Sequence, residues 1–91
     1  MKYSPVHKAS FRRDVSRCAK RGCDISELAA VMRKLEAGEP PDTAKNRPHW
    51  LVGYSPRAME CHIGGDWLLL YRCSGSDIYY IRTGTHSDLF R

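Results

Sequence analysis

The sequence lacks the features that would place it outside the ordinary class of small folded proteins. It has no apolar run near the roughly 20 residues that a membrane-spanning helix needs, and no apolar run is longer than that of residues 67–71. Its first residues include no apolar segment of the secretory type, so we expect a cytoplasmic protein without membrane contact. It also has no internal repeat and no low-complexity tract. With 91 residues, 42% of them hydrophobic, it is expected to fold as one domain over residues 1–91.

Cysteine is present, but in no metal-binding or redox pattern. The four cysteines lie at positions 18, 23, 61 and 73, and no two of them form a C-x-x-C pair. This excludes a zinc ribbon and a thioredoxin-like motif. A disulfide framework is typical of small exported domains, so we expect reduced cysteines that pack as small apolar side chains. A zinc site made of Cys61, His62 and His86 is the alternative. It lacks the closely spaced ligand pair of such sites, and we predict no metal and no cofactor.

Positive charge is concentrated in the first third of the chain. The net charge is +5, and nine of the fifteen lysines and arginines lie in residues 1–35. A basic surface of this kind is typical of proteins that bind a polyanion such as nucleic acid. The other interpretation is that these residues only solvate a helix surface. The histidines are distributed the other way, since His49, His62 and His86 lie beyond residue 48.

The N-terminal third is expected to form a strand and a helix. Residues 3–7 predict a short edge strand, because Pro5 is tolerated only at a sheet edge. Ser10 is a good N-cap for the periodic stretch that follows, and Gly22 is placed to end that helix. The apolar face of the predicted helix comprises Phe11, Val15 and Cys18.

A second helix follows closely, so the two form an αα-hairpin. It is expected to begin near Asp24 or Ser26 and to stop at Gly38, which precedes two prolines. Its predicted apolar face comprises Ile25, Leu28, Ala29, Met32 and Leu35. Residues 36–48 form a polar connector without periodicity.

Beyond the connector the pattern is that of strands. Residues 50–54, 58–63, 67–73 and 78–83 are rich in aromatic and aliphatic side chains, and short glycine-containing turns separate the last three. The sequence therefore predicts an α+β fold in which an N-terminal αα-hairpin packs on a small antiparallel sheet.

Histidine and aspartate residues are predicted to meet at one end of this sheet. His62 precedes a glycine turn and Asp66 follows it, which suggests that the two side chains lie within hydrogen-bond reach. His86 follows the last strand and His49 ends the connector. Together with Arg82, these residue types supply the base, the acid and the cation that cleavage of RNA by its own 2′-hydroxyl requires. The alternative is that each histidine is a separate surface residue.

Two segments carry a family resemblance. Residues 60–71 read Glu-Cys-His-Ile-Gly-Gly-Asp-Trp-Leu-Leu-Leu-Tyr, and residues 82–90 read Arg-Thr-Gly-Thr-His-Ser-Asp-Leu-Phe. Both resemble the YafQ branch of the RelE/ParE toxin superfamily, and the resemblance extends over essentially the whole chain. It implies a RelE-like fold and a ribosome-dependent mRNA endonuclease of a type II toxin–antitoxin system.

The resemblance also implies roles for particular residues. The implied catalytic residues are His49, His62, Asp66 and His86. The implied substrate-binding residues are Trp67, Arg82 and Phe90. One position departs from the family pattern, because Met59 stands three residues before the motif histidine, where relatives usually have a basic residue. Arg57, two residues earlier, is a possible replacement on the same strand face.

The implied mechanism is metal-independent attack of a 2′-hydroxyl on the adjacent phosphate, in the decoding site of the 30S ribosomal subunit. His86 is the candidate acid, His62 or His49 the base, and Asp66 orients an imidazole. The basic residues expected to dock on ribosomal RNA are Arg12, Arg13, Arg17, Lys20 and Arg21. Besides the ribosome and mRNA, the implied partner is a cognate antitoxin, through which alone the chain would reach operator DNA. Two alternatives remain: a ParE-like gyrase inhibitor on the same fold, and a basic nucleic-acid-binding module without catalysis.

Overall fold

Two long helices and a sheet account for most of the structure, a computed structural model that describes residues 2–53 and 57–90. In chain order, the elements are β1 Ser4–His7, α1 Ala9–Lys20, α2 Ile25–Glu36, α3 Thr43–Asn46, β2 His49–Trp50, β3 Met59–Gly64, β4 Trp67–Ser74, β5 Asp77–Gly84 and α4 His86–Phe90. The α+β class predicted from the sequence is confirmed. Strands β3, β4 and β5 begin and end within one residue of their predicted bounds.

The sheet combines antiparallel and parallel pairing. Across the described residues its five strands lie in the order β1-β5-β4-β3-β2. Strands β2 to β5 pair antiparallel, as predicted. The edge strand β1 instead pairs in parallel with β5, with Ser4 opposite Asp77 and His7 opposite Tyr80. The expectation of a purely antiparallel sheet is therefore wrong for β1. Its partner β5 is the last strand of the chain, and no local sequence pattern indicates a pairing between segments so far apart.

Where β1 ends, side chains of α1 make the hydrogen bonds to the edge of β5. The Ser10 hydroxyl donates to the carbonyl oxygen of Ile81 at 2.8 Å, and the Thr83 amide donates to Asp14 Oδ2 at 3.1 Å. The prediction that Ser10 caps α1 is wrong, because the helix begins at Ala9 and its N-cap residue is Lys8. The serine hydroxyl satisfies a strand carbonyl instead of a helix amide.

The turn between α1 and α2 lies where the sequence predicted it. Gly22 adopts a φ of +88°, in the left-handed region that glycine tolerates. Its amide donates to Ala19 O, and the next amide, of Cys23, donates to Cys18 O, which satisfies the last carbonyls of α1. Asp24 caps α2 by accepting a hydrogen bond from the Ser26 amide at 3.0 Å.

The core lies between this hairpin and one face of the sheet. Its helical members are Phe11, Leu28, Val31 and Leu35, and its sheet members are Cys61, Ile63, Leu69, Tyr71, Ile78 and Tyr80. Val31 was not predicted. Met32, which was, is partly buried and packs against this cluster. Ile25 and Ala29, also predicted, line an apolar groove of about 290 Å³ between α1 and α2. All four cysteines are free thiols; Cys18 and Cys61 are buried as predicted, whereas Cys73 is exposed.

The segments that flank the sheet differ most from the prediction. Residues 36–48 include a helical turn, α3, whose Asn46 side-chain amide donates to His62 O at 2.6 Å. The strand predicted over residues 50–54 is only His49–Trp50, because the chain turns at residues 52–53, and Tyr54 lies outside the described residues. His86, predicted in a loop, begins α4. Among the described helices, none has the length and apolar character needed to cross a membrane.

Candidate active site

The candidate site lies on the sheet face that points away from α1 and α2. Successive residues of β3 point to opposite faces, so Cys61 and Ile63 enter the core while Glu60 and His62 lie on the other side. His49 on β2 is directly opposite Glu60. The sheet therefore places two histidines and a carboxylate on the same face.

His49 is held by contacts at both ring nitrogens. Its Nε2 lies 3.2 Å from Glu60 Oε1, and its Nδ1 lies 3.0 Å from the carbonyl oxygen of Arg47. Both neighbouring atoms are hydrogen-bond acceptors, so each of the two ring nitrogens already faces a partner within the fold.

Asp66 is paired with His86. Its Oδ1 contacts Nδ1 of the His86 ring and accepts a bond from the His86 amide at 3.3 Å. The hydrogen bond from the His86 ring lowers the pKa of Asp66, and the bond from the amide lowers it further. The predicted contact between His62 and Asp66 is wrong. The pairing of β3 with β4 shifts register between His62 and Gly64, so the adjacent turn does not place Asp66 opposite His62.

His62 and His86 come together although 24 residues separate them in the sequence. Their ring centroids are 6.2 Å apart. A carboxylate oxygen of Glu60 and one ring nitrogen of each of these histidines lie within 4.8 Å of one another, which makes this trio a possible ligand set for a metal ion. The trio considered from the sequence was wrong in one member, since Cys61 points into the core. Phe90, 44% exposed, lies with its ring 6.2 Å from that of His86.

The short helix α4, which carries His86 and Phe90, is anchored by Asp88. The Thr85 amide donates to Asp88 Oδ2 at 2.9 Å, and the Asp88 amide donates to Thr85 Oγ1 at 3.1 Å, a reciprocal capping arrangement. Arg21 at the end of α1 donates to Asp88 from both terminal nitrogens, NH1 at 2.8 Å. The Arg21 guanidinium is the main reason that the pKa of Asp88 lies well below its usual range. A Cβ on Gly84 would meet Asp88 at 2.9 Å, so this packing needs glycine there.

Asp14 of α1 fixes the end of β5 that precedes α4. This carboxylate is 2% exposed. It accepts hydrogen bonds from Arg82 Nε at 2.5 Å and Arg82 NH2 at 3.1 Å, and Arg17 NH2 lies 2.9 Å from it. The Thr83 amide is its fourth donor. Two arginines and a strand amide thus share one buried acid.

The arrangement is suited to proton transfer. An imidazole whose Nδ1 bonds a carboxylate keeps its Nε2 for a reacting group, and the carboxylate stabilises the protonated ring. His62 lies close enough to contact the same bound group from a second side. One protonated and one neutral imidazole are the minimum for paired acid and base catalysis.

Comparison with known proteins agrees with this geometry. The family model described as "Bacterial toxin of type II toxin-antitoxin system, YafQ" matches residues 3–91. The chain belongs to the YafQ family. The mRNA interferase toxin YafQ of Escherichia coli K12 is 30% identical over 84 residues, which cover 92% of this chain and 91% of the relative. A chain in the structure of the E. coli DinJ–YafQ toxin–antitoxin complex superposes with a TM-score of 0.90 at 27% identity, covering 100% of both chains. A metal-bound toxin from Helicobacter pylori superposes with a TM-score of 0.90 at 29% identity, covering 97% of this chain and 99% of the other.

Two of the residues predicted to dock this YafQ-family chain on the ribosome are engaged within the fold. Arg17 lies 2.9 Å from Asp14, and Arg21 lies 2.8 Å from Asp88. The other three members of that set are exposed on α1, and their side chains make no hydrogen bond or ion pair to any residue in 2–53 or 57–90: Arg12, Arg13 and Lys20.

Two further positions differ from the interpretation of the sequence. Trp67 packs against the core, and its indole N–H donates to Thr83 Oγ1 at 2.9 Å. It therefore supports β5 rather than facing a bound RNA. Arg57 does not replace the basic residue missing at Met59. Its guanidinium lies 4.2 Å above the ring of Trp50, which lines a groove on the helix side of the sheet.

Three residues that organise the site of this YafQ-family chain were missed. Glu60 is two residues before His62, and the two-residue period of a strand places both on one face. Asp88 stands three residues after Thr85, the spacing of a capping box. Asp14 interrupts the apolar stripe of α1 between Phe11 and Cys18. The sequence contains all three signals. Spacing rules would have indicated the roles of Glu60 and Asp88, whereas no such rule gives the partners of Asp14.

Proposed function

We propose that the chain is a ribosome-dependent endoribonuclease that cuts mRNA by attack of a 2′-hydroxyl on the adjacent phosphate, without a metal ion. The observation that carries this proposal is the position of His62 beside His86, with Asp66 bonded to the far nitrogen of the His86 ring. The relative from E. coli, an mRNA interferase toxin, supports the same reaction class.

In the proposed reaction His62 is the base and His86 the acid. His62 takes the proton from the 2′-hydroxyl, and the resulting oxygen forms a bond to phosphorus. The bond from phosphorus to the 5′-oxygen breaks as His86 gives that oxygen its proton. The products carry a 2′,3′-cyclic phosphate and a 5′-hydroxyl. We assign His49 a supporting role, because Glu60 and the Arg47 carbonyl already contact its two ring nitrogens.

Other residues would hold the RNA around this pair. Phe90 is exposed beside His86 and has a face on which a base can stack. Arg82 would supply positive charge near the phosphate from a position that Asp14 sets. Trp67 would act indirectly, by supporting Thr83 and the end of β5.

The partners follow from the same proposal. The histidines lie on an open sheet face, and we propose that the 30S decoding site supplies the RNA geometry that so small a chain does not impose. The basic side of α1 would dock on ribosomal RNA. We further propose a cytoplasmic location and a cognate antitoxin, which the DinJ–YafQ complex supports and through which the chain would contact operator DNA.

Primer extension in a reconstituted translation system tests the proposal. We expect cuts in a translated message when the chain is added, and rates lower by orders of magnitude on the same message without ribosomes. Equal cutting of naked RNA would contradict the ribosome requirement. Intact message together with blocked DNA supercoiling would favour the gyrase-inhibitor alternative. Binding to RNA without cleavage in any condition would favour a non-catalytic module.

A further inference from the structure

Two of the four cysteines meet where α1 ends. The helix closes in a Schellman motif, in which the Cys23 amide donates to Cys18 O at 3.0 Å and the Gly22 amide donates to Ala19 O at 3.1 Å. The side chains of the two outer residues of such a motif frequently pack against each other as an apolar pair. Here both outer residues are cysteines, so the motif brings two thiols together.

The backbone of this motif suits a disulfide between Cys18 and Cys23. A disulfide needs Cα atoms about 4.4–6.8 Å apart. Because the Cys23 nitrogen lies 3.0 Å from the Cys18 oxygen, standard bond lengths place the two Cα atoms no more than about 6.9 Å apart. Burial raises the pKa of the Cys18 thiol, and the Cys23 thiol is close enough to raise it further. Both cysteines are free thiols, so the bond between them is available to form.

The two thiols differ in their access to solvent. Cys23 is partly exposed, whereas Cys18 is 2% exposed. An oxidant therefore reaches Cys23 first, and Cys18 is placed to react with the product. Arg17 and Arg21 act on the pKa of Cys18 against the effect of burial and lower it. Positive charge beside a thiol favours the thiolate, which is the form that attacks.

Arg21 lies inside the loop that a bond between Cys18 and Cys23 would close. Its amide donates to Cys18 O at 3.1 Å, and its guanidinium donates to Asp88, which anchors α4 and thereby His86. Bonding brings two sulfur atoms from contact to about 2.05 Å. Cys18 is buried on the packed helix, so this movement falls on the turn at residues 21–23. The base of the Arg21 side chain moves with that turn.

We propose that Cys18 and Cys23 form a reversible disulfide when a peroxide oxidises them, and that this bond slows cleavage by drawing Arg21 away from Asp88. The disulfide depends only on the geometry of the turn, whereas its effect on cleavage rests on the proposed function. In proteins of the cytosol, disulfides are usually transient and either catalytic or redox-sensing. The bond would thus make the activity of the chain depend on oxidant.

The oxidation proceeds in two balanced steps. The Cys23 thiolate attacks one oxygen of hydrogen peroxide, the O–O bond breaks, and the other oxygen leaves as water with the thiol proton, which gives a sulfenic acid. The Cys18 sulfur then bonds to the Cys23 sulfur, the S–O bond breaks, and a second water leaves with the Cys18 proton. Two thiols thus pass two electrons to one peroxide, and a thiol reductant restores both.

Peptide mapping of the full chain tests the disulfide. The chain is treated with hydrogen peroxide, remaining thiols are alkylated, and trypsin is added. Trypsin cuts after Arg17, Lys20 and Arg21, so the bond would join the peptide of residues 18–20 to that of residues 22–33. We expect this linked pair after peroxide and its loss after dithiothreitol.

Two variants serve as controls in the mapping. Cys73→Ser removes an exposed thiol elsewhere and should give the same linked pair as the parent, whereas Cys23→Ser should give none. The site is overturned if Cys18 and Cys23 stay alkylated under peroxide that oxidises Cys73. It is equally overturned if Cys23 proceeds to a sulfinic acid without a bond to Cys18.

Asp88 reports the effect on Arg21 independently of cleavage. The Arg21 side chain is the first cause of the lowered pKa of Asp88, so its withdrawal in the oxidised chain should raise that pKa toward the ordinary value. Carboxyl NMR titration of the reduced and oxidised chains measures the change, and peroxide-treated Cys23→Ser is the control. An unchanged pKa in a chain that holds the disulfide contradicts the coupling and leaves the disulfide site intact.

Cleavage assays test the effect on the proposed activity. The rate on ribosome-bound message should fall roughly tenfold or more after peroxide, since misplacing a group by about 1 Å can cost 10²-fold, and should return with dithiothreitol. Cys23→Ser should cut at one rate before and after peroxide, which separates the disulfide from oxidation of methionines. A disulfide without loss of rate contradicts the regulation alone. A reduced chain that never cuts RNA contradicts the proposed function, and the peptide map and the Asp88 titration then still decide the site and its coupling.

Discussion

Glu60 and Asp66 each contact one histidine ring, but the two rings differ in whether a nitrogen remains for the substrate. Glu60 is buried, and its partner His49 has an acceptor at the second ring nitrogen as well. Asp66 is exposed and contacts the His86 ring at Nδ1. The second arrangement leaves one nitrogen for the substrate. This difference supports the acid role that we propose for His86.

His86→Ala is expected to lower the cleavage rate on ribosome-bound message roughly 10²–10⁴-fold, the usual contribution of a general acid or base. Asp66→Asn should lower it less, because the ring remains but loses the carboxylate that stabilises its protonated form. Single-turnover cleavage measures both effects. Ser87→Ala, on the same turn of α4, is the control and should cut at the parental rate. A His86→Ala variant as active as Ser87→Ala would remove His86 from the mechanism.

Asp14→Asn is expected to destabilise the protein, since Asp14 is the shared partner of two arginines and a strand amide. The loss in free energy of unfolding should be about 3 kcal/mol, the low end for breaking a buried ion pair, because both arginines keep some contact with water. Urea unfolding measures it. Arg13→Gln, on the exposed side of α1, is the comparison and should change the midpoint little. Equal midpoints for the two variants would mean that the buried network contributes no net stability.

At the scale of elements, α4 depends on contacts from outside itself. A helix of five residues is too short to be stable alone. Asp88 links it to Thr85 at its own start and to Arg21 at the end of α1. Contacts with α1 therefore help to set the position of His86, although none of the three site histidines, His49, His62 and His86, lies on α1.

Asp88→Asn is expected to lower stability near neutral pH and to matter progressively less in acid. Arg21 and the Thr85 amide hold the pKa of Asp88 below its unfolded value, which is about 3.9. The contribution of such a group is fully present above the unfolded pKa and is lost as the pH falls toward the lower folded pKa. Urea midpoints of parent and variant should therefore differ at pH 7 and converge below about pH 4. A difference that stays constant over this range would show that the charge of Asp88 is not what stabilises α4.

Local patterns predicted the elements whose cause is local. The end of α1 could be predicted at Gly22, because glycine tolerates the left-handed backbone that ends a helix. Strands β3 to β5 could be predicted from segments rich in β-forming residues between glycine-containing turns. The parallel pairing of β1, the pairing of Asp66 with His86 and the burial of Asp14 depend on residues far apart in the chain. The pairing of β3 with β4 shifts by one residue between His62 and Gly64, and no local pattern in the sequence signals that shift. Sequence reasoning thus predicted that His62 and His86 lie close together, but not which carboxylate contacts which ring.

For the whole molecule, the histidines and the exposed basic residues belong to different structural elements. The histidine cluster occupies the sheet face away from the hairpin, whereas Arg12, Arg13 and Lys20 lie on the outer side of α1. Cleavage and docking should therefore be separable by mutation. Arg17 and Arg21 belong to neither group, since their ion pairs hold the fold together.

Arg12→Glu combined with Arg13→Glu is expected to weaken ribosome binding and to reduce its salt dependence by about one unit of log–log slope per lost phosphate contact. Sedimentation with ribosomes across a salt series measures both quantities. Arg33→Glu with Lys34→Glu changes the net charge equally on α2 and is the matched control. His86→Ala should bind as the parent does. If the α2 pair and the α1 pair weaken binding alike, net charge rather than the α1 surface governs docking.

The contacts of Ser10 and Asp14 with β5 also bear on self-association. An uncovered strand edge presents amides and carbonyls that can recruit a strand from another molecule, the first step toward aggregation. Ser10 bonds the Ile81 carbonyl and Asp14 bonds the Thr83 amide, so these two edge groups of β5 already have hydrogen-bond partners. At the opposite side of the sheet β2 is only two residues long. Side chains of a helix, rather than an additional strand, thus occupy these edge groups and leave less backbone for a strand of another molecule to pair with.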